Sequence, residues 1–255
     1  MSISLRRITK SFPAKLSGGC LSVLDNIDFD VPDGSIIALF GPNGSGKTTI
    51  LNIIAGIETP DGGEASVNGR QANLSVVGYA FQNFRDVLLP WESAIDNVSF
   101  GLRAMGVPRA AALQQTLSFL EKHNLTFPYE HYPYQLSVGQ QQTVVLARTM
   151  IQQPANVLLD EPFTALDHQA RFRMQDTMIS VLKEMPTAIL FVSHDVDEAL
   201  YMSDELILLS KRPARVLQRF TVPFERPRRH DLLASSEFAS LRREVVAAFL
   251  EEVGA

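Results

Sequence analysis

The run Ser35–Phe40 is almost wholly apolar and ends in Gly41-Pro42-Asn43-Gly44-Ser45-Gly46-Lys47-Thr48, after which Ile50, Leu51, Ile53 and Ile54 recur at helical spacing. No other stretch of the 255 residues restricts the fold as much. A short apolar run of this kind reads as a strand buried on both faces, the sort found in a parallel sheet covered by helices. The glycines let backbone N–H groups turn inward without Cβ clashes, forming an anion nest at the positive end of the following helix. Lysine followed by threonine at that spacing serves a polyphosphate, and a bare helix cap has no need of it. Lys47 can reach β- and γ-phosphates, and the Thr48 hydroxyl can ligate Mg²⁺. Gly41 to Thr48, together with Thr49, are therefore the expected nucleotide-binding residues.

Similar apolar runs recur at Ala155–Leu159, Thr187–Val192 and Glu205–Leu209 with helical stretches between them. Strand, helix, strand with buried runs is the pattern of a parallel sheet with helices on both faces. The first thirty residues differ. Ile3, Leu5, Val23, Leu24, Ile27, Phe29 and Val31 alternate with polar residues up to the turn Pro32-Asp33-Gly34, which reads as two or three antiparallel strands. From about Leu88 to Gln153, helical periods at Ala110–His123 and Ser137–Gln152 are broken by Pro108, Pro128 and Pro133, with no buried strand. That stretch reads as a helical insertion in the α/β core. The tail Lys211–Arg229 carries seven basic residues against one acidic, and leads as an edge hairpin or loop to a last amphipathic helix near Ser236–Glu252.

Asn156-Val157-Leu158-Leu159-Asp160-Glu161-Pro162 is a buried strand ending in two acids. Carboxylates at such a tip, with no basic residue beside them, are either solvated or bound to a cation. Asp160 suits a water-mediated Mg²⁺ ligand beside Thr48. Adjacent strand residues point opposite ways, so Glu161 does not duplicate that role. Past the strand tip it could polarise a water facing a γ-phosphate.

Leu136-Ser137-Val138-Gly139-Gln140-Gln141-Gln142 opens a helix that continues through Arg148. This resembles the signature sequence of ABC-transporter ATPases, LSGGQ followed by a helix. Ser137 is a good N-cap, and Ser137 with Gly139 can offer a hydroxyl and an amide to a phosphate. The resemblance covers the chain from Ile3 to at least Leu209. It implies an α/β P-loop NTPase fold of the ABC ATPase kind, with a RecA-like parallel-sheet core, an antiparallel β subdomain and a helical subdomain insertion. Residues 1–87 and 154–255 would form the core with the β subdomain and tail, and 88–153 the helical subdomain. It also implies ATP and Mg²⁺ at the site. Gln82, in Tyr79-Ala80-Phe81-Gln82-Asn83, is similar to the family's Q-loop glutamine, which senses Mg²⁺ and the attacking water. Ala165-Leu166-Asp167 resembles the D-loop, which contacts a partner subunit's site, and His194 resembles the H-loop histidine that touches the γ-phosphate. On this resemblance Glu161, His194 and Gln82 are catalytic, Thr48, Gln82 and Asp160 serve the metal, and Ser137, Gly139, Gln140 and Asp167 join the nucleotide-binding set. Phe12 stands where the family has an aromatic stacked on adenine; since it also ends an apolar-alternating strand, a place in the core is the alternative. Departures exist: Val138 replaces the first glycine of the usual pair, and Gln141 and Thr143 stand where arginine is common.

In this family the signature helix completes the site of a second subunit. The resemblance therefore implies a homodimer, or a heterodimer with a paralogous ATPase, closing on two ATP molecules. The segment Phe84–Trp91, which holds the one tryptophan, lies where the family receives a cytoplasmic helix of a transmembrane permease; the alternative is a small core within the helical insertion. A periplasmic binding protein would act indirectly, through that permease. Leu88-Leu89-Pro90-Trp91, Lys211-Arg212-Pro213-Ala214-Arg215-Val216 and Ser236-Glu237-Phe238-Ala239-Ser240-Leu241 resemble the nitrate/sulfonate/taurine branch of bacterial importers, whose members take up varied small organic ions and vitamin precursors.

Other classes fit less well. ABC ATPases of DNA repair or translation carry long coiled-coil insertions or two fused cassettes, export ATPases are normally fused to spanning helices, and a small-molecule kinase leaves Leu136–Gln142 and His194 without a use. Lys+Arg 23 against Asp+Glu 28, a net charge of −5, speaks against a nucleic-acid partner. No apolar run approaches the ~18 residues a spanning helix needs. Cys20, the one cysteine, fits a reducing compartment, and the start lacks the apolar core of a signal peptide. The expected location is the cytoplasm, peripheral on the cytoplasmic face of the inner membrane. The basic tail either faces anionic lipid or forms a solvated edge.

Overall fold

Residues 2–14, 19–73, 77–184 and 187–254 are described by the computed structural model. The alternating N-terminal segment forms β1 (Ile3–Pro13) and β2 (Cys20–Val31), followed by the apolar β3 (Ile36–Phe40) and the helix α1 (Lys47–Ile54). Three strands the sequence reading did not resolve come next: β4 (Gly62–Val67), β5 (Arg70–Gln71) and β6 (Gly78–Ala80). Glycine and small polar residues weaken their alternation, and pairing with neighbours holds them instead. Four helices follow: α2 (Phe84–Val87), α3 (Ala94–Ala104), α4 (Arg109–Lys122) and α5 (Val138–Ile151). The rest runs β7 (Asn156–Asp160), α6 (His168–Glu184), β8 (Ala188–Val192), α7 (Val196–Met202), β9 (Glu205–Leu209), β10 (Val216–Thr221) and α8 (Ser236–Val253). Helix α3 starts at Ser93, whose hydroxyl caps it by accepting the Asp96 N–H at 3.2 Å.

Two sheets result. The antiparallel one has the order β2-β1-β4-β5, and the larger one β10-β9-β3-β8-β7-β6. In the larger sheet every pairing is parallel except that of β10 on β9. Period-two alternation divides its strands between two cores. Ile36, Ala38, Phe40, Val157, Leu159, Ile189, Phe191, Leu206 and Leu208 share one core with Val98, Leu102, Val144, Leu200, Phe238 and Val245 of the helices. Ile37, Leu39, Leu158, Leu190, Val192, Ile207 and Leu209 share the other with Ile50, Leu51, Ile53 and Ile54 of α1 and with Ile3, Leu5, Ile27 and Phe29 of the antiparallel sheet. Each such side chain contributes about 1.5–3 kcal/mol by leaving water.

Part of the segment Phe84–Trp91 joins a core. Leu88 is buried in the first core, with Phe84 and Val87 packed half-buried against it, whereas Trp91 is 71% exposed. The tail is edge strand β10 followed by an irregular stretch, a 3-10 turn at His230–Ala234 and α8, and its cations are largely spent on the chain itself. Arg219 pairs with Glu205, Arg226 with Asp204 and Arg229 with Asp231. Arg228 is buried and donates to the carbonyls of Leu200, Tyr201 and Ser203 at 3.1, 2.7 and 2.8 Å, closing the C-terminus of α7. Burial pushes its guanidinium down to about 10. Among the described residues no helix is long and apolar enough to cross a membrane.

Candidate functional site

The loop between β3 and α1 can be built from glycine alone at its last turn. Gly46 has φ 96° in the left-handed region, and a Cβ there would lie 2.7 Å from Leu24 Cδ2 and 2.8 Å from Val23 Cγ1. The carbonyl of Gly46 then accepts the Ile50 N–H at 2.9 Å, starting α1. Lys47, 5% exposed, folds its ammonium back onto the loop, donating to Gly41 O at 2.8 Å and Pro42 O at 2.9 Å. Burial lowers its pKa, and the charges of Glu161 and Asp160 oppose that shift.

The Thr48 hydroxyl donates to Asp160 Oδ2 at 2.8 Å, which brings the start of α1 against the tip of β7. The other oxygen, Asp160 Oδ1, is buried with no hydrogen-bond partner, and so is Ser45 Oγ. Burial raises the Asp160 pKa, with the Thr48 hydrogen bond lowering it and Glu161 raising it again. Mg²⁺ typically takes one or two carboxylates and completes its shell with phosphates and water. A hydroxyl beside a carboxylate with one unpartnered buried oxygen fits such an ion. Among the described residues no group of three or more His, Cys, Asp or Glu side chains could hold a metal by itself.

The two acids do have basic neighbours, contrary to the reading from sequence, and those neighbours come from other elements. The parallel register sets Asp160 opposite Val192, so the ends of β7 and β8 lie side by side. Glu161 turns to φ 52° and donates its N–H to Val192 O at 3.1 Å. Its Oε1 then meets Nε2 of His194, two residues past the end of β8. Lys47 lies close enough to both carboxylates for their charges to act on it.

A cleft of about 570 Å³ brings most of the expected residues together. Phe12, Leu21 and Val23 of the antiparallel sheet line one part; Asn43, Gly44, Gly46, Lys47, Thr48 and Thr49 line the loop; Gln82, Glu161 and His194 line the rest. Gly41, Pro42 and Ser45 complete the loop behind that lining, and Asp160 stands behind it on Thr48. Phe12 lines the cleft and also packs against the second core.

Ser137, Gly139, Gln140 and Asp167 do not line this cleft. The start of α5 is closed on itself: Ser137 Oγ accepts the Gln140 N–H at 3.3 Å, and Gln140 Oε1 accepts the Ser137 N–H at 2.9 Å. Asp167 caps α6 by accepting the Ala170 N–H at 2.9 Å. Gln142, buried, accepts the Ala165 N–H at 3.1 Å and so ties α5 to the loop before Asp167. The departures from the usual signature are used locally. Gln141 donates to Pro133 O at 2.7 Å, Thr143 donates to Gly139 O at 2.9 Å, and Val138 is exposed.

Sequence reasoning missed Arg212, which lines the cleft, and Glu198, a buried acid on α7. Burial raises Glu198 to about 7 against an ordinary value of 4.5, with the Ser193 hydroxyl opposing and Asp195 reinforcing the shift. Glu198 sits four residues past His194 and carried a signal in an acid on an otherwise apolar helix face. Arg212 carried none, being set by tertiary packing.

Comparison with known proteins follows the same lines. The profile of the ABC transporter family matches residues 24–164. An uncharacterized ABC transporter ATP-binding protein of Methanocaldococcus jannaschii is 35% identical over 99% of this chain and 93% of its own length. A taurine import ATP-binding protein of Chromobacterium violaceum is 36% identical over 96% of this chain and 95% of its own. Among solved structures, an ATP-binding cassette in a dimeric post-hydrolysis state bound to ADP and Pi superposes with TM-score 0.76 at 27% identity, covering 88% of this chain and all of that one.

Proposed function

The chain belongs to the ABC transporter family as an ATP-binding ATPase subunit, and we propose that it powers a bacterial importer of a small anion of the taurine or sulfonate class. The observation that carries the ATPase chemistry is the Glu161–His194 contact at the mouth of the phosphate loop. ATP would lie along the cleft with its base toward Phe12 and its triphosphate on residues 41–49. Lys47 would exchange the carbonyls of Gly41 and Pro42 for β- and γ-oxygens. Thr48 and Asp160, with Gln82, would hold Mg²⁺, which when bound offsets phosphate charge. Glu161 would orient a water and take its proton as the oxygen attacks the γ-phosphorus and ADP leaves, with His194 holding the carboxylate and facing the γ-phosphate. The taurine-import relative supports the solute class, since similarity to it extends over nearly the whole chain.

Ser137, Gly139 and Gln140 stand outside their own cleft, which supports a second protomer whose nucleotide they would meet beside Asp167. Residues 88–153 would then form the arm that carries the signature, on a core of 1–87 and 154–255. Trp91 and its neighbours would meet a permease on the cytoplasmic face of the membrane, with a periplasmic binding protein delivering the solute.

Glu161→Gln tests the reading. The variant should bind ATP, lose phosphate release by about 10²–10⁴-fold and elute as a dimer with ATP. Normal turnover would remove Glu161 from the catalytic role. In the host, a strain lacking this chain should fail to grow on taurine as sulfur source until the wild-type chain is restored; unimpaired growth would overturn the solute class and leave the ATPase standing.

A further inference from the structure

Seven basic residues lie between Lys211 and Arg229, and six of them are engaged by the chain itself. The Lys211 N–H donates to Glu252 Oε1 at 2.7 Å and its ammonium to Val253 O at 2.7 Å. Arg215 pairs with Asp25, and Arg219, Arg226, Arg228 and Arg229 have the partners given above. Arg212 has neither a hydrogen bond nor an ion pair among the described residues, and it lines the cleft with Phe12, Lys47 and Glu161. Its guanidinium stands over the tip of the phosphate loop. A Cβ on Gly44 would lie 3.0 Å from Arg212 Nη2 and 3.6 Å from Cζ.

The segment that carries Arg212 is held on both sides. Ala214 donates to Val23 O at 2.8 Å and accepts from the Asp25 N–H at 2.9 Å, fastening it to the strand that supplies Leu21 and Val23 to the cleft. Lys211 fastens it to the end of α8. A guanidinium held in this way, with no ion pair among the described residues, matches an anion delivered from outside. Its planar fork suits phosphate oxygens. The acid that lines the cleft, Glu161, meets His194, and Asp160 behind it accepts from Thr48 through Oδ2.

Resting on the reading of this cleft as the nucleotide site, we propose that Arg212 is a further nucleotide-contacting residue, reaching over Gly44 from the C-terminal tail to bind the triphosphate. The tail and α8 thereby become part of the ATP site, with Lys211 and Glu252 as positioning residues.

ATP titration of the purified full-length protein by calorimetry tests this, using wild type, Arg212→Lys, Arg212→Ala and Arg212→Glu. Affinity should fall in that order, roughly tenfold for alanine and further for glutamate, with unfolding temperatures unchanged because Arg212 has no internal partner to lose. Equal ATP binding by wild type, alanine and glutamate variants would overturn the proposal while the nucleotide site stands. An equal loss in the alanine and glutamate variants would also overturn it, since charge would then not be what is read. Failure of the wild type to bind ATP would remove both readings.

Discussion

Two helix starts in this molecule, that of α1 and, on the proposed reading, that of α5, would face a phosphate, and they differ in what surrounds them. The start of α1 borders a cleft, with unpartnered polar atoms behind it, Asp160 Oδ1 and Ser45 Oγ, and with Lys47 shifted by burial away from its charged form. The start of α5 has its polar atoms satisfied by its own capping box and faces no cleft of its own. The first holds electrostatic cost that a bound polyphosphate and cation would relieve. The second has its capping groups satisfied and, on the proposed reading, would meet a nucleotide held by another protomer. One chain thus carries a strained half and a relaxed half, and the proposed dimer joins unlike halves.

The sharpest way to break that contrast is Lys47→Ala. Phosphate release should fall by about 10²–10³-fold, with ATP affinity falling alongside, as measured by coupled assay and titration. A variant that kept near-normal turnover would mean that the strained loop is not where the triphosphate sits.

A second buried charge, Glu198 on α7, lies close enough to Glu161 for that carboxylate to act on it, and its cost can be measured directly. Its folded-state pKa of about 7 exceeds the ordinary 4.5, so its contribution to stability is fully present below about pH 4.5 and is lost as pH rises through 7. Glu198→Gln removes that loss. It should match wild type in urea unfolding near pH 4.5 and exceed it at pH 8 by up to about 3 kcal/mol. Parallel pH profiles for the two proteins would show that Glu198 carries no such cost.

At the relaxed start the expected effect is smaller and has opposite signs for folding and function. A Cβ on Gly139 would meet Leu166 and Ala165 only at 3.5 and 3.6 Å, ordinary contact. Gly139→Ala should therefore leave the unfolding temperature equal or higher, by up to about 1 kcal/mol of helix propensity. Turnover should fall roughly tenfold if this turn meets a partner's γ-phosphate. Unchanged turnover would leave the second helix start without a role.

Much of the fold was legible because local signals agreed with the tertiary outcome. The apolar runs became β3, β7, β8 and β9 with ends displaced by a residue at most, and the expected helices became α4 and α5. Gly62–Val67 was not legible, since its two glycines and small side chains blur a period of two until β1 pairs with it. The charge environment of Asp160 and Glu161 was misread for a related reason. Neighbours in sequence say nothing of Lys47 or His194, which the sheet register delivers.

The amino-acid sequence by itself determined the phosphate loop, the acid-tipped strand, the signature turn and the absence of a long apolar run, because each depends on residues within a few positions of one another. The meeting of Glu161 with His194, the place of Phe12 between cleft and core, the separation of Ser137 from the loop and the reach of Arg212 over Gly44 were decided only by the tertiary structure. Those contacts join residues tens to well over a hundred positions apart. They follow from parallel register and from the docking of the tail on β2, which long-range packing selects and no local pattern encodes.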